Sequence, residues 1–413
     1  MSSVSMREMN REFYVRYLIC LLLGIGAVVA PAHAQWGMGM GNDAMQMAIG
    51  RASVDRYSDL LGFDEVQRET AEMLHRDYLD SFKQANDTLM DAMQRLQEEA
   101  GKSGDWQKMM KPMGRIMLGF FDRLEALEAT FFDDLKMIAI EPGQQEAFVR
   151  VERARRREQV ETAGQISVVN GGTIDLHEIA REVEVSGNEA AREALLAYEA
   201  EIDPVYKRLI DRSFGFMRDQ MERMKDMDDD DESMGFDAEA MEKMQDAMKD
   251  MRELGSQGKS INARYARQIM QLLPTERQAA WDTEVKRRTW PTVYRQSKAE
   301  RQIEAAGKLD SLTAQQREGL DAIRQTYERE AAPINDRWAK AIDEQQTGDE
   351  MNWWGWGQDS EEADAAEEAR KELDDRFVER VRGLLTAEQL ESMPSVGESG
   401  FDADEVLREF GGG

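Results

Sequence analysis

The chain has 413 residues with 53 basic and 82 acidic side chains, a formal net charge of −29. Such a chain repels nucleic acid and anionic membrane surfaces, which excludes both as generic partners. With 41 % hydrophobic and 33 % charged residues it can build a core, and with only 8 prolines, 31 glycines and one cysteine it suits neither a many-stranded sandwich nor a disulfide scaffold. An all-α protein is the fold class that remains.

Residues 1–34 read as a signal peptide. Arg7, Arg11 and Arg16 precede an apolar run of 13 residues, Leu18 to Ala30, and Ala32-His33-Ala34 supplies a small-x-small cleavage site. The run falls short of the roughly 20 residues that span a bilayer, so cleavage near Gln35 is expected, with no stable membrane insertion afterwards. Cys20 would leave with the signal. Export without a disulfide suits a bacterial periplasm, with secretion as the alternative.

After a Met/Gly-rich segment, 35–59, one pattern is written three times, over 60–157, 175–290 and 304–394, before a tail at 395–413. Each unit opens on an apolar residue, a capping side chain and Gln or Glu three residues on. The pairs are Asp64 with Gln67, Ser186 with Glu189, and Thr313 with Gln316. In such a capping box the short side chain accepts from a free backbone N–H and the longer one reaches back to the cap. Apolar stripes at helical spacing follow, such as Leu320, Ile323, Tyr327, Ile334, Trp338 and Ile342. Pro204 and Pro333 stand six residues after Tyr198 and Tyr327, where they should bend their helices. Each unit then closes on Ile140-Glu141-Pro142-Gly143-Gln144, Leu273-Pro274-Thr275-Glu276 or Leu385-Thr386-Ala387-Glu388-Gln389, where Thr386 and Gln389 form another box. The expectation is three elongated helical hairpins of about 35 residues per helix, each with a capped short helix at its exit.

Leu312-Thr313-Ala314-Gln315-Gln316 and Leu385-Thr386-Ala387-Glu388-Gln389 both fit L-T-x-x-Q. In this the chain resembles the periplasmic stress chaperones of the Spy and CpxP type, whose members carry one such motif near the first long helix and one near the last. The resemblance implies a bent helical hairpin with a concave, partly apolar surface that holds unfolded clients without ATP. It is good over 304–394 and degenerate in the other two units, and the length and acidity of this chain depart from the family.

No enzyme, cofactor or metal site is expected. His177-Glu178 lacks the second histidine of a zincin, since Arg181 stands in its place, and no Gly-rich phosphate loop occurs. Methionine is the unusual residue, with 27 against 14 phenylalanines. Met217, Met221, Met224, Met241, Met244 and Met248 step at helical spacing on either side of the acidic run Asp228–Glu232. They read as the hairpin's own packing, as an adaptable surface for apolar clients, or as thioether ligands for copper(I). Trp353, Trp354 and Trp356 occupy the corresponding tip of the third unit, as a contact to a neighbouring unit or to a partner, a client or a lipid interface. Arg150, Arg153, Arg155, Arg156 and Arg157 form a basic base that could pair head-to-tail with acidic tips or answer a helix macrodipole. The expected partners are other proteins, as unfolded clients or as a fixed envelope partner of an adaptor or coiled scaffold, with self-association as a further option.

Overall fold

The computed structural model describes residues 48–103, 107–163, 171–226, 238–347 and 360–393. The signal peptide, most of the Met/Gly-rich segment, the acidic run, Trp353, Trp354 and Trp356, and the tail 395–413 lie outside the described residues. Among the described residues the structure is helical and contains no strand. None of these helices is long and apolar enough to cross a membrane. The chain forms two compact units, one ending at Pro274 and one beginning at Thr275.

The first unit contains α1 (Arg51–Leu61), α2 (Glu65–Ser103), α3 (Gln107–Ile138), α4 (Pro142–Ala163), α5 (Leu176–Glu182), a 3₁₀ turn at Val185–Gly187, α6 (Glu189–Asp226) and α7 (Ala238–Leu272). Helix α2 pairs with α3, α6 with α7, and α3 lies along α6, while α1 and α4 pack together at the base. Gly62 ends α1 in the left-handed region, φ 63°, and its N–H closes on Ser58 and Asp59 carbonyls. Two apolar clusters line the first hairpin of this unit. At the base Tyr57, Tyr78, Phe82, Phe131, Leu135 and Val151 are buried together. At the far end Leu89, Met93, Met113, Met117 and Phe120 pack with Met221 and Met224 of α6. Gly114 permits that second contact: a Cβ there would lie 2.6 Å from the Met221 carbonyl and 2.7 Å from the Lys225 nitrogen, so α3 and α6 meet backbone to backbone.

The second unit contains α8 (Thr275–Thr289), α9 (Pro291–Tyr294), α10 (Lys298–Gly307), α11 (Ala314–Thr347), α12 (Glu361–Leu384) and α13 (Ala387–Ser392). Helix α11 pairs with α12, and α10 covers both. Ile303, Leu320, Tyr327, Leu373, Phe377 and Val381 form its core.

A tyrosine on each first long helix ties down the segment before it. Tyr78 Oη accepts from Ile49 N at 3.2 Å, Tyr198 Oη donates to the Ile174 carbonyl at 3.2 Å, and Tyr327 Oη meets Ser297 Oγ at 2.5 Å. Each partner sits at or just before the cap of a short helix: α1, α5 or α10. Helices α1 and α10 therefore pack as part of the first and third hairpins, although the sequence boundaries at 60 and 304 cut through them. A legible signal was present at Ser297-Lys-Ala-Glu300, a complete capping box. Two further expectations are corrected. The box Ser186–Glu189 does not start α6; Asn188 caps it, its Oδ1 accepting from Ala191 N at 3.0 Å. The preceding 3₁₀ turn, entered through Glu184 at φ 56°, carries the chain past Ser186 before the helix begins. And α4, expected as a short helix, runs for 22 residues.

Candidate functional site

The capped ends of the hairpins are hydrogen-bonded to each other. In the second unit the Gln316 amide bridges to Gln389: Nε2 of each donates to Oε1 of the other, at 2.8 and 3.2 Å. Each amide oxygen also accepts from its own cap nitrogen, Thr313 N at 3.0 Å and Thr386 N at 2.9 Å. The spare amide hydrogens reach across the hairpin, Gln316 to the Leu384 carbonyl at 2.9 Å and Gln389 to the Ser311 carbonyl at 3.0 Å. Two local caps thus become one clasp that fixes the start of α11 against the end of α12.

The first hairpin repeats the arrangement with different caps. Gln67 and Gln144 exchange amide hydrogen bonds at 3.0 and 2.9 Å, Gln67 Nε2 also donates to the Ile138 carbonyl at 2.8 Å, and the oxygens accept from Asp64 N and Glu141 N. At the ends of α6 and α7 Asn188 Nδ2 donates to the Leu272 carbonyl at 2.6 Å. Glu would serve as well as Gln in a capping box, but only Gln has a donor to offer across the hairpin. That choice at both third positions is the signal that local reading passed over. We expect Gln389→Glu to lower the stability of the second unit by about 1–3 kcal/mol, because it strips the donor from the Ser311 and Gln316 oxygens and buries a carboxylate. Calorimetry of Gln389→Glu beside the exposed control Glu388→Gln measures it, and the deficit should narrow below about pH 4, where a protonated carboxyl can donate again.

None of the described methionines of this group is exposed. Met221, Met224 and Met244 are buried, Met217 and Met248 are half-buried, and Met241 has no described side chain. Instead of facing only their own partner helix, Met221 and Met224 fill the apolar end of the first hairpin beside Met109, Met113 and Met117. Met73 is half exposed, and Val66, Met137 and Ile140 are exposed to a greater degree.

Four of the five arginines, Arg153, Arg155, Arg156 and Arg157, pair with carboxylates inside the first unit. Arg155 binds Glu128 through two nitrogens, at 3.0 and 2.8 Å, and Arg156 binds Asp203 the same way, at 2.7 and 3.1 Å. Arg157, almost wholly buried, donates to Asp175 at 3.1 Å and lies 3.5 Å from Glu199, which also accepts from Arg153 at 3.3 Å. Burial alone would raise the Asp175 carboxyl, but Arg157, His177 and Arg56 outweigh it and hold it at about 2. These pairs bolt α4 to α6 and to the loop before α5.

Among the described residues no group of three or more His, Cys, Asp or Glu side chains is placed to hold a metal ion. No protein-family model, curated protein or solved structure matches the chain.

Proposed function

We propose that this chain is an exported, non-enzymatic protein of three tandem helical hairpins that binds apolar segments of other proteins without ATP. The observation that carries the reading is the clasp. The paired L-T-x-x-Q motifs on which the resemblance to periplasmic stress chaperones rests act as one hydrogen-bonded device, and the degenerate motifs of the first hairpin form it too. Fixed hairpin ends keep a long two-helix surface in register for a client. Val66, Met137 and Ile140, near the clasp of the first hairpin, are 71 %, 71 % and 75 % exposed and are the apolar contacts nearest to hand. The test is suppression of light scattering from thermally unfolded malate dehydrogenase by the chain lacking residues 1–34. The expected result is suppression near stoichiometric ratio without ATP, reduced at least about twofold by the triple change Val66→Ser, Met137→Ser and Ile140→Ser. No suppression at tenfold excess overturns the reading.

Burial of Met221, Met224 and Met244 favours a second reading, an envelope adaptor with one fixed partner, because it withdraws the most adaptable surface from varied clients. Crosslinking in intact cells would then recover one stoichiometric partner where a holdase recovers many.

A further inference from the structure

Helix α7 contains two interior glycines one turn apart, Gly255 and Gly258. Glycine costs helix stability relative to alanine, so a pair on one face calls for a contact that needs the space. That contact is the segment 171–175, which turns at Gly171 with φ 74° and runs without helical structure to the cap of α5. A Cβ on Gly172 would stand 2.6 Å from the Gly255 carbonyl oxygen, and a Cβ on Gly258 would stand 2.5 Å from the Gly172 carbonyl oxygen. Helix α7 therefore meets this strap backbone to backbone.

Side chains of α6 and α7 hold the strap by its main chain. Asn262 Nδ2 donates to the Gly171 carbonyl at 2.9 Å, and Tyr198 and Tyr206 both donate to the Ile174 carbonyl, at 3.2 and 3.1 Å. Both tyrosines are wholly buried, Asn262 is 1 % exposed, and Ile174 is buried with them. Donors aimed at carbonyls read the path of a chain rather than its side chains, which is how grooves take peptides of varied sequence. The sequence that the strap does need is short. It is glycine at 171 for the positive φ, glycine at 172 for the notch in α7, and an apolar residue at 174. The fit is also incomplete. Oδ1 of the same Asn262 amide that binds Gly171 is buried and has no donor, so the groove offers an acceptor that its occupant leaves unused.

We propose that the seam of α6 and α7 is a peptide-binding groove that the chain keeps filled with its own strap, and that its ligand is a Gly-Gly-x-apolar segment of another polypeptide. A segment that brings an N–H to Asn262 Oδ1 makes one bond that the strap does not. The strap holds the groove by proximity: anchored at Asp175 by Arg157 and Arg56, it stands at an effective concentration of about millimolar order against any added peptide. Binding of a second chain is therefore hidden until the strap is expelled. This groove is separate from the exposed residues at the clasp of the first hairpin, and it stands or falls without any holdase activity.

Gly172→Val expels the strap while leaving every groove residue of α6 and α7 in place. The experiment is fluorescence anisotropy of a labelled peptide of residues 169–176, titrated with the full parent chain and with the full chain carrying Gly172→Val. The variant should bind at least about tenfold more tightly than the parent, and hydrogen exchange should show protection lost over 171–175 and kept in α6 and α7. A peptide carrying Gly172→Val, or a chain carrying Gly258→Val beside Gly172→Val, should lose that gain. Equal affinity of parent and variant overturns the proposal, as does binding that survives Gly258→Val. Should Gly172→Val fail to fold, Gly172→Ala, with the same clash and a smaller side chain, replaces it. Failure of both to fold also overturns the proposal, because the strap is then core that α6 and α7 cannot do without.

Discussion

Replacing Arg157 by alanine should unfold the first unit at a temperature on the order of 10 °C below the parent. The guanidinium is buried between two buried carboxylates, Asp175 and Glu199, and is bonded to the first and 3.5 Å from the second. Its removal takes the main counter-charge from Asp175 and leaves Glu199 to Arg153, in a medium that solvates both carboxylates poorly. Breaking a buried pair from one side costs about 3–5 kcal/mol, and in a unit of this size each kcal/mol moves the midpoint by about 2–4 °C. The change also has a pH signature. In the parent the Asp175 carboxyl is held at about 2, below its ordinary 3.8, so its stabilisation is complete above about pH 4 and is lost as pH falls through about 2. Without Arg157 the depression shrinks, and the acid-unfolding midpoint of the first unit should rise. Calorimetry of the intact chain at pH 7 and pH 4 measures both effects. A midpoint within about 2 °C of the parent would mean that Arg157 is not the centre of this joint.

Met221→Ser and Met224→Ser should each cost about 2–5 kcal/mol, the range for truncating a buried long aliphatic chain, with a further term for a hydroxyl that finds no partner there. Both side chains fill the apolar end of the first hairpin, under α3 at the point where Gly114 lets the two backbones touch. Gly114→Val should cost at least as much, because α6 backbone occupies the space a Cβ needs. Met217→Ser, at a half-buried position, should cost under about 1 kcal/mol. Urea unfolding of the four variants ranks them. Mild peroxide provides an independent order: Met137 and Met73 should reach sulfoxide first, and Met113, Met221 and Met224 last. Early oxidation of Met221 would return these thioethers to the role of an exposed client surface.

The hairpin helices were legible because everything that defines them is local. Apolar residues at three and four define a stripe, and a capping side chain with Gln three residues on marks a start, so the spans around 65, 314 and 387 can be placed from sequence. The start of α6 was missed by two residues because Ser186 and Asn188 are both good caps in one short stretch, and a left-handed residue at Glu184 selects the later one. The short helices α1 and α10 were cut away from their hairpins because the bonds that attach them, Ile49 to Tyr78 and Ser297 to Tyr327, span about thirty residues and have no periodic trace.

By itself the sequence determined the helical class, the long hairpin helices, the glutamine caps at the hairpin ends, and the gathering of methionine and arginine into short windows. Each follows from propensity, capping and period, which act over a few residues. Only the tertiary structure decided what those groups meet. Two capping glutamines became a clasp because the second helix of each hairpin runs back along the first and returns the second cap to it. The methionines of α6 became core because a glycine on α3 removes the one Cβ that would have kept the helices apart. The arginines of α4 became bolts because Asp175 and Glu199, 18 and 42 residues further along the chain, are brought to them in a place too dry to leave any charge unpaired.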